Sequence, residues 1–328
     1  MKRSVQILFT ALLMIGLVGF LCSATAQPAE EIKLGLQPYF SNAPLFVMLE
    51  GGYFEKAGLA VKPSISLATG TELLAALMSG QYDVMGGGVA VGTFNAILRG
   101  MTVKAIADKG SNRGKQSYGW IVVRKELFDT KKITKVQDLK GKKVAEPGVG
   151  SASWIELGMI LAKYGMGFSD ITVVKMAGPD TVNALKAGTI DAALISEPSV
   201  AQAKALGASV ELASVGEELG EHQEAIIMTT EDAIKKRRPV LERFLKAYVQ
   251  GIRDYFKEPK KRQYLEAISK YSKIDPNTLA NCYPPYISLD ARMSQTSLQQ
   301  QLDWLVKGGH VKSAFPLDKL VDESLLPR

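Results

Sequence analysis

Apolar and polar positions along the chain fall into short blocks whose spacing switches between that of a strand and that of a helix. Apolar runs at 32–36, 61–66, around Val84 and at 103–107 have the length of buried strands, and helical periodicity occupies 44–56, 72–78 and 91–98 between them. Strands alternating with helices predict a largely parallel sheet covered on both faces. A second set opens at Trp120-Ile121-Val122-Val123, passes a polar turn at 138–143 into Val144-Ala145, and adds helices near 153–164, 180–185 and 198–206. The apolar run Ala225-Ile226-Ile227-Met228 is expected to return the chain to the first lobe. From Thr230 the pattern is helical almost to the end, with Leu241, Phe244, Leu245, Tyr248, Ile252 and Tyr255 at helical spacing.

Two segments echo each other. GTELLAALMSGQYD runs from Gly70 to Asp83 and GPDTVNALKAGTID from Gly178 to Asp191. Each frames a helix ending in Ala-Leu, then Gly-x-x-Asp and an apolar strand, and Gly80 and Gly188 suit the left-handed position past a helix end. The equal spacing favours a duplicated lobe over two unrelated helix–strand units. The expected architecture is α/β and two-lobed. Each lobe is a mainly parallel sheet flanked by helices, divided as 27–117, 118–224 and 225–328, with a helical carboxyl-terminal segment.

The amino terminus bears on compartment. Lys2 and Arg3 precede an apolar run from Ile7 to Cys22, followed by Ala24-Thr25-Ala26, the form of a cleavable export signal over residues 1–26. Leu21 before Cys22 argues against a lipid anchor, and no later apolar run has the length of a membrane span. The mature chain is therefore expected to start at Gln27, in the periplasm. The net charge of +7 falls to +5 on losing Lys2 and Arg3, because residues 1–26 hold no acid. Much of the remaining positive charge lies in 231–262, where it reads as the solvated face of an amphipathic helix rather than a nucleic-acid patch. Only Cys282 remains of the two cysteines, so no internal disulfide is expected.

A wider pattern carries a family likeness. Asn42-Ala43-Pro44-Leu45, EGGYFEKAGL from Glu50 to Leu59, ALMSGQYD from Ala76 to Asp83, the turn at 138–144, ALKAGTID from Ala184 to Asp191, and Glu197-Pro198 occur in order across nearly the whole mature chain. In these the chain resembles the ABC-transporter substrate-binding proteins of the nitrate, sulfonate, taurine and thiamine-precursor group. That resemblance implies the type II periplasmic-binding fold, a small-molecule ligand in an interlobe cleft, a membrane permease as partner, and no catalytic role. It does not fix the ligand.

Ligands of open α/β sheets bind beyond the carboxyl ends of the strands, and five loops fit that description. The first is 37–43, with Gln37, Phe40, Ser41, Asn42 and Ala43; Asn42 could equally cap a helix and Phe40 pack at the mouth. Thr69, Gly70 and Thr71 could hold an anion or simply cap a helix. Gly86-Gly87-Gly88-Val89 could bring a backbone close to a ligand, with Gly88 and Val89 nearest it, and lacks the ending of a P-loop. Gly150, Ser151, Ser153 and Trp154 form a candidate anion cradle, although Trp154 could bury itself instead. Ser196 and Glu197 could meet a ligand amine or brace the hinge, and Tyr118, with Ser111, lies near the first crossing. The expected ligand is a sulfonate, a carboxylate or an aromatic or heterocyclic compound.

Catalysis and metals find little support. His222 and His310 are the only histidines, no metal-ligand spacing occurs, and no cofactor motif appears. Synthases of pyrimidine precursors share the scaffold, but the cysteine-rich motif that the resemblance would require is missing. A ligand sensor for a membrane receptor remains a further alternative. A monomer is expected, with no nucleic-acid partner.

Overall fold

The computed structural model describes residues 29–66 and 70–328. The expected leader at 1–26 and the candidate Thr69 lie outside the described residues. Ten strands form two five-stranded sheets. The first contains β1 (Glu30–Leu36), β2 (Leu59–Ile65), β3 (Val84–Gly88), β4 (Val103–Asn112) and β10 (His222–Thr230), in the order β2-β1-β3-β10-β4. The second contains β5 (Gly119–Arg124), β6 (Lys143–Glu146), β7 (Thr172–Lys175), β8 (Ala192–Ser196) and β9 (Ser209–Ser214), in the order β7-β6-β8-β5-β9.

Both sheets are mixed. β1 pairs in parallel with β2 and β3, as β6 does with β7 and β8. β10 and β5, the strands that follow each crossing between lobes, run antiparallel to their neighbours. The two orders are the same order: β2, β1, β3, β10 and β4 correspond to β7, β6, β8, β5 and β9. Strand position follows burial. Pro63 sits in β2 at a sheet edge, where a missing N–H is tolerated, whereas the fully apolar centre of β10 is interior.

The repeated motif falls on equivalent units, α3 (Gly70–Met78) into β3 and α7 (Pro179–Ala187) into β8. Gly80 and Gly188 are both left-handed, at φ 76° and 72°. The aspartates explain the motif. Asp83 Oδ2 accepts from Lys33 N at 2.8 Å in one lobe, and Asp191 Oδ2 accepts from Lys143 N at 2.9 Å in the other. Each ties the start of its strand to the neighbouring one, at the end of the sheet away from the candidate loops.

Helices cover both faces. On the first sheet, α1 (Ala43–Glu50), α2 (Tyr53–Lys56), α10 (Glu231–Lys257), α11 (Arg262–Ser272) and α12 (Pro276–Ala280) enclose one core; α3, α4 (Val91–Leu98) and α13 (Gln295–Lys307) enclose the other. On the second, α5 (Lys125–Asp129), α6 (Ala152–Lys163) and α9 (Val215–Leu219) cover one face, and α7 and α8 (Ser199–Ala205) the other. The helix expected over 44–56 is two, because Gly52 turns left-handed at φ 69° between them. The α10 axis is kinked near Pro239, with Arg237 out of helical geometry.

The carboxyl-terminal region is less helical than its sequence suggests. Pro284-Pro285, Gly308-Gly309 and Pro316 interrupt it, and the connecting segments line the outer edge of β4 instead. Ser111 N donates to Tyr286 O at 2.7 Å, Asp108 N to Ala291 O at 2.8 Å, and Ala105 N to Leu320 O at 2.7 Å. An edge that would otherwise expose its polar backbone is thereby closed. No helix among the described residues is long and apolar enough to cross a membrane.

Candidate ligand-binding site

The loops that follow the carboxyl ends of β3 and β6 come together. Val91 N, at the start of α4, donates to Gly150 O at 3.0 Å, and a Cβ on Gly88 would lie 3.5 Å from Ala152 Cβ. The first-lobe rim and the start of α6 are therefore in direct contact along one side. On the other side Glu197 is buried and joins the two bodies. Its Oε2 accepts from Ala201 N in α8 and its Oε1 from Tyr283 N in the carboxyl-terminal segment, both at 3.0 Å. This is the bracing alternative of the sequence reading, and burial pushes the Glu197 carboxyl up from its ordinary range.

In the first loop, Phe40–Asn42 make a single 3-10 turn ahead of α1. Phe40 belongs to the core, while Tyr39 is 51% exposed. Asn42 does not cap the helix through its side chain. Its Nδ2 donates to Gln37 O at 2.7 Å, and its Oδ1 accepts from Lys109 Nζ at 3.0 Å. Ser41 Oγ accepts from the same ammonium at 3.0 Å. Buried Ala43 opens α1. Gly70 opens α3, and exposed Thr71 places its hydroxyl beside Gly92 of α4.

The glycine triplet is strand, not loop. Gly86, Gly87 and Gly88 oppose Ile227, Ile226 and Ala225 in the β3–β10 ladder, and Val89 N donates to Glu224 O at 2.7 Å. The glycines are needed for side chains that cross them. A Cβ on Gly86 would lie 2.8 Å from Lys109 Cδ and from Leu36 Cδ2, and one on Gly87 would lie 3.0 Å from Met85 Cε.

In the second lobe, Gly148 and Gly150 take φ of 145° and 85°, and Ser151 caps α6 by accepting from Trp154 N at 3.1 Å. Ser153 is buried in the first turn. Trp154 is packed against other rings: it stacks on Phe168 with centroids 4.8 Å apart and meets Trp304 and His310 edge-on. It is a packing residue that joins α6 to α13, and Gly158 leaves room for the Trp304 ring against the same helix. Ser196 ends β8, half-buried.

A buried polar cluster at the crossings went unread in the sequence. Asn112 is its centre. Its Oδ1 accepts from Ser117 Oγ at 2.8 Å and from the N–H groups of Tyr118 and Gly119, both at 3.1 Å. Its Nδ2 donates to Glu156 Oε1 at 3.0 Å and Glu224 Oε2 at 2.9 Å. One amide thus joins the first crossing, the returning strand and a second-lobe helix. Burial, with Glu224 opposite, holds the Glu156 carboxyl well above the usual range. His222 Nε2 lies 3.7 Å from Glu156 Oε1, and burial lowers its pKa to about 4, leaving a neutral ring.

Asp108 is buried and raised to about 6 by desolvation, against hydrogen bonds from Ser288 N, Gln223 Nε2, Gly110 N and Ser111 Oγ. The buried Tyr118 hydroxyl lies against Gly110, and burial beside Glu224 pushes its pKa far up. The available signal was in the strands themselves, since β4 closes on Asp108-Lys109-Gly110-Ser111-Asn112 and β10 opens on His222-Gln223-Glu224, polar runs joined directly to apolar ones. No group of three or more His, Cys, Asp or Glu among the described residues could hold a metal.

This architecture is that of the two-lobed solute-binding proteins. It superposes with a TM-score of 0.73 on the periplasmic aliphatic sulphonate-binding protein SsuA of Escherichia coli, at 19% identity over 88% of this chain and 91% of that one. With the periplasmic nitrate-binding protein NrtA of Synechocystis PCC 6803 the TM-score is 0.70, at 17% identity over 90% and 87%. A protein of Brachyspira hyodysenteriae that bears the name of an ABC transporter periplasmic binding protein is 23% identical over 271 residues, covering 76% of this chain and 74% of its own. The NMT1/THI5-like family model matches residues 39–262, and the chain belongs to that family.

Proposed function

We propose that the chain is the solute-binding component of an ABC importer. It takes up a small organic molecule, a sulfonate, carboxylate or aromatic or heterocyclic compound, in the cleft between its lobes and presents the closed form to a membrane permease. The observation that carries this reading is the meeting of strand ends from two lobes of one topology, joined by the Val91–Gly150 hydrogen bond with Gly88 beside Ala152. A gap bordered by strand ends and helix starts is where such sheets bind ligands, and two chain crossings supply a hinge. The binding-protein names of the sequence relative and the structural neighbours support the same role.

Lobes bounded near residues 117 and 224 should close further around a bound molecule. Small-angle scattering, with a ligand first found by thermal shift, should give a smaller radius of gyration when the ligand is saturating. An unchanged radius with proven binding means a rigid pocket. The same reading places the mature protein in the periplasm as a monomer that begins at Gln27. Intact-mass measurement of the exported protein checks it, and retention of residues 1–26 refutes it.

A further inference from the structure

We infer that Lys109 supplies the positive charge met by a ligand in the cleft, so that the site selects an anion over neutral and cationic solutes. The inference rests on the binding-protein reading above and names the ligand class of that same site. Lys109 is 2% exposed. Among the described residues it forms no ion pair within 4.0 Å; its two partners, Ser41 Oγ and Asn42 Oδ1, are neutral oxygens at 3.0 Å. An ammonium has three N–H groups, so one is left over. A buried cation without an anion is strongly unfavourable, and folds keep one where something else supplies the opposite charge.

The carboxyls around it offset that charge only in part, and from a distance. Asp108, on the same strand, receives four donors, and Glu224 on β10 is engaged by Asn112; both attract Lys109 only from beyond ion-pair distance. Of the other buried groups nearby, burial pushes the Glu156 carboxyl on α6 well up, Tyr118 is a neutral phenol and His222 a neutral imidazole. Two features aim the side chain at the cleft. Its stem crosses Gly86, where any Cβ would obstruct it, and its ammonium lies against the loop that leaves the carboxyl end of β1. The first lobe therefore holds a cation at the strand ends that face the glycine- and serine-rich start of α6.

Thermal-shift and calorimetric titrations of wild type and Lys109→Met test this. The probes are ethanesulfonate, benzoate and nitrate, set against ethyl methyl sulfone, benzamide and choline. At least one anion should raise the wild-type melting temperature where its neutral counterpart does not. Lys109→Met should bind that anion at least about tenfold more weakly, as expected for losing a hydrogen bond to a charged group. Equal anion affinity in both proteins, or stabilisation by neutral or cationic probes alone, overturns the inference and leaves the binding-protein reading standing. No stabilisation by any probe likewise overturns the inference and leaves the binding-protein reading standing.

A second measurement needs no variant at Lys109. Burial lowers the Lys109 pKa to about 8. Wild-type affinity for the anion should fall about tenfold per pH unit above that value, because only the ammonium binds. Glu156→Gln should keep this slope, which separates Lys109 from the neighbouring carboxyl. A flat profile from pH 7 to pH 10 overturns the assignment.

Discussion

Replacing Asn112 with alanine should lower the melting temperature by about 5 °C, the order expected for losing about 3 kcal/mol from a protein of this size. The amide holds three donors and two carboxyl oxygens in a fully buried position. Alanine leaves the N–H groups of Tyr118 and Gly119 without acceptors, each at a cost of about 1–3 kcal/mol. It also removes the amide that donates to both Glu156 and Glu224. Asn112→Asp is the informative contrast. It keeps an acceptor for the two N–H groups but sets a third carboxyl against the other two. It should therefore be the less stable variant at pH 8 and should recover in acid as the cluster takes up protons. Calorimetric melting at pH 5 and pH 8 reads both effects. An alanine variant within about 1 °C of wild type, less than a single lost hydrogen bond's worth, would show that the crossing is held elsewhere.

Glu156→Gln should stabilise the protein at neutral and alkaline pH, with the gain growing as pH rises. The carboxyl of Glu156 is buried beside Glu224, and its pKa stands well above that of the unfolded chain. A raised carboxyl pKa means that the native state binds the proton more tightly than the unfolded state does. The contribution is thus fully present below the ordinary glutamate range and is lost as pH rises towards the folded value. Glutamine keeps the shape and can accept from Asn112 and donate to Glu224, with no proton to lose. Within the window each pH unit should widen the difference by up to about tenfold in the folding equilibrium. Asp108 adds a fall in stability between pH 4 and its value of about 6, and His222 opposes it, but the variant shares both. Denaturant melts of the two proteins from pH 5 to pH 9 decide the matter. Parallel stability profiles would mean that Glu156 is not the proton carrier.

The alternation of strands and helices was legible because each follows its own period, and the helix at 91–98 was read to the residue. The repeated Gly-x-x-Asp frame was legible for a similar reason, since local geometry fixes a left-handed glycine after a helix. What escaped is non-local. Nothing in Gly86-Gly87-Gly88 tells a flexible loop from a strand with large neighbours, because the reason for the glycines is Lys109, Leu36 and Met85. Trp154 looked available for a ligand ring, but Trp304 and His310, which enclose it, lie about half the chain away. Glu197 seemed a candidate for a ligand amine, while its partner, Tyr283 N, lies 86 residues on. The crossing cluster was hidden because it is assembled from three separate segments. Its polar residues gain meaning only once β4, β10 and α6 meet.

The shared strand order has a consequence for how the chain is made. The second sheet is contiguous, from Gly119 to Ser214, and can be completed as soon as that stretch has left the ribosome. The first sheet cannot. β4 reaches β3 only through β10, which starts at His222, more than a hundred residues after β3 ends. Until then β3 presents an open edge, β4 has no neighbour within the sheet, and Lys109 lacks its finished surroundings. The growing chain therefore stays unfinished in its first third during most of its synthesis, a state open to chaperones and compatible with threading through a narrow translocation channel.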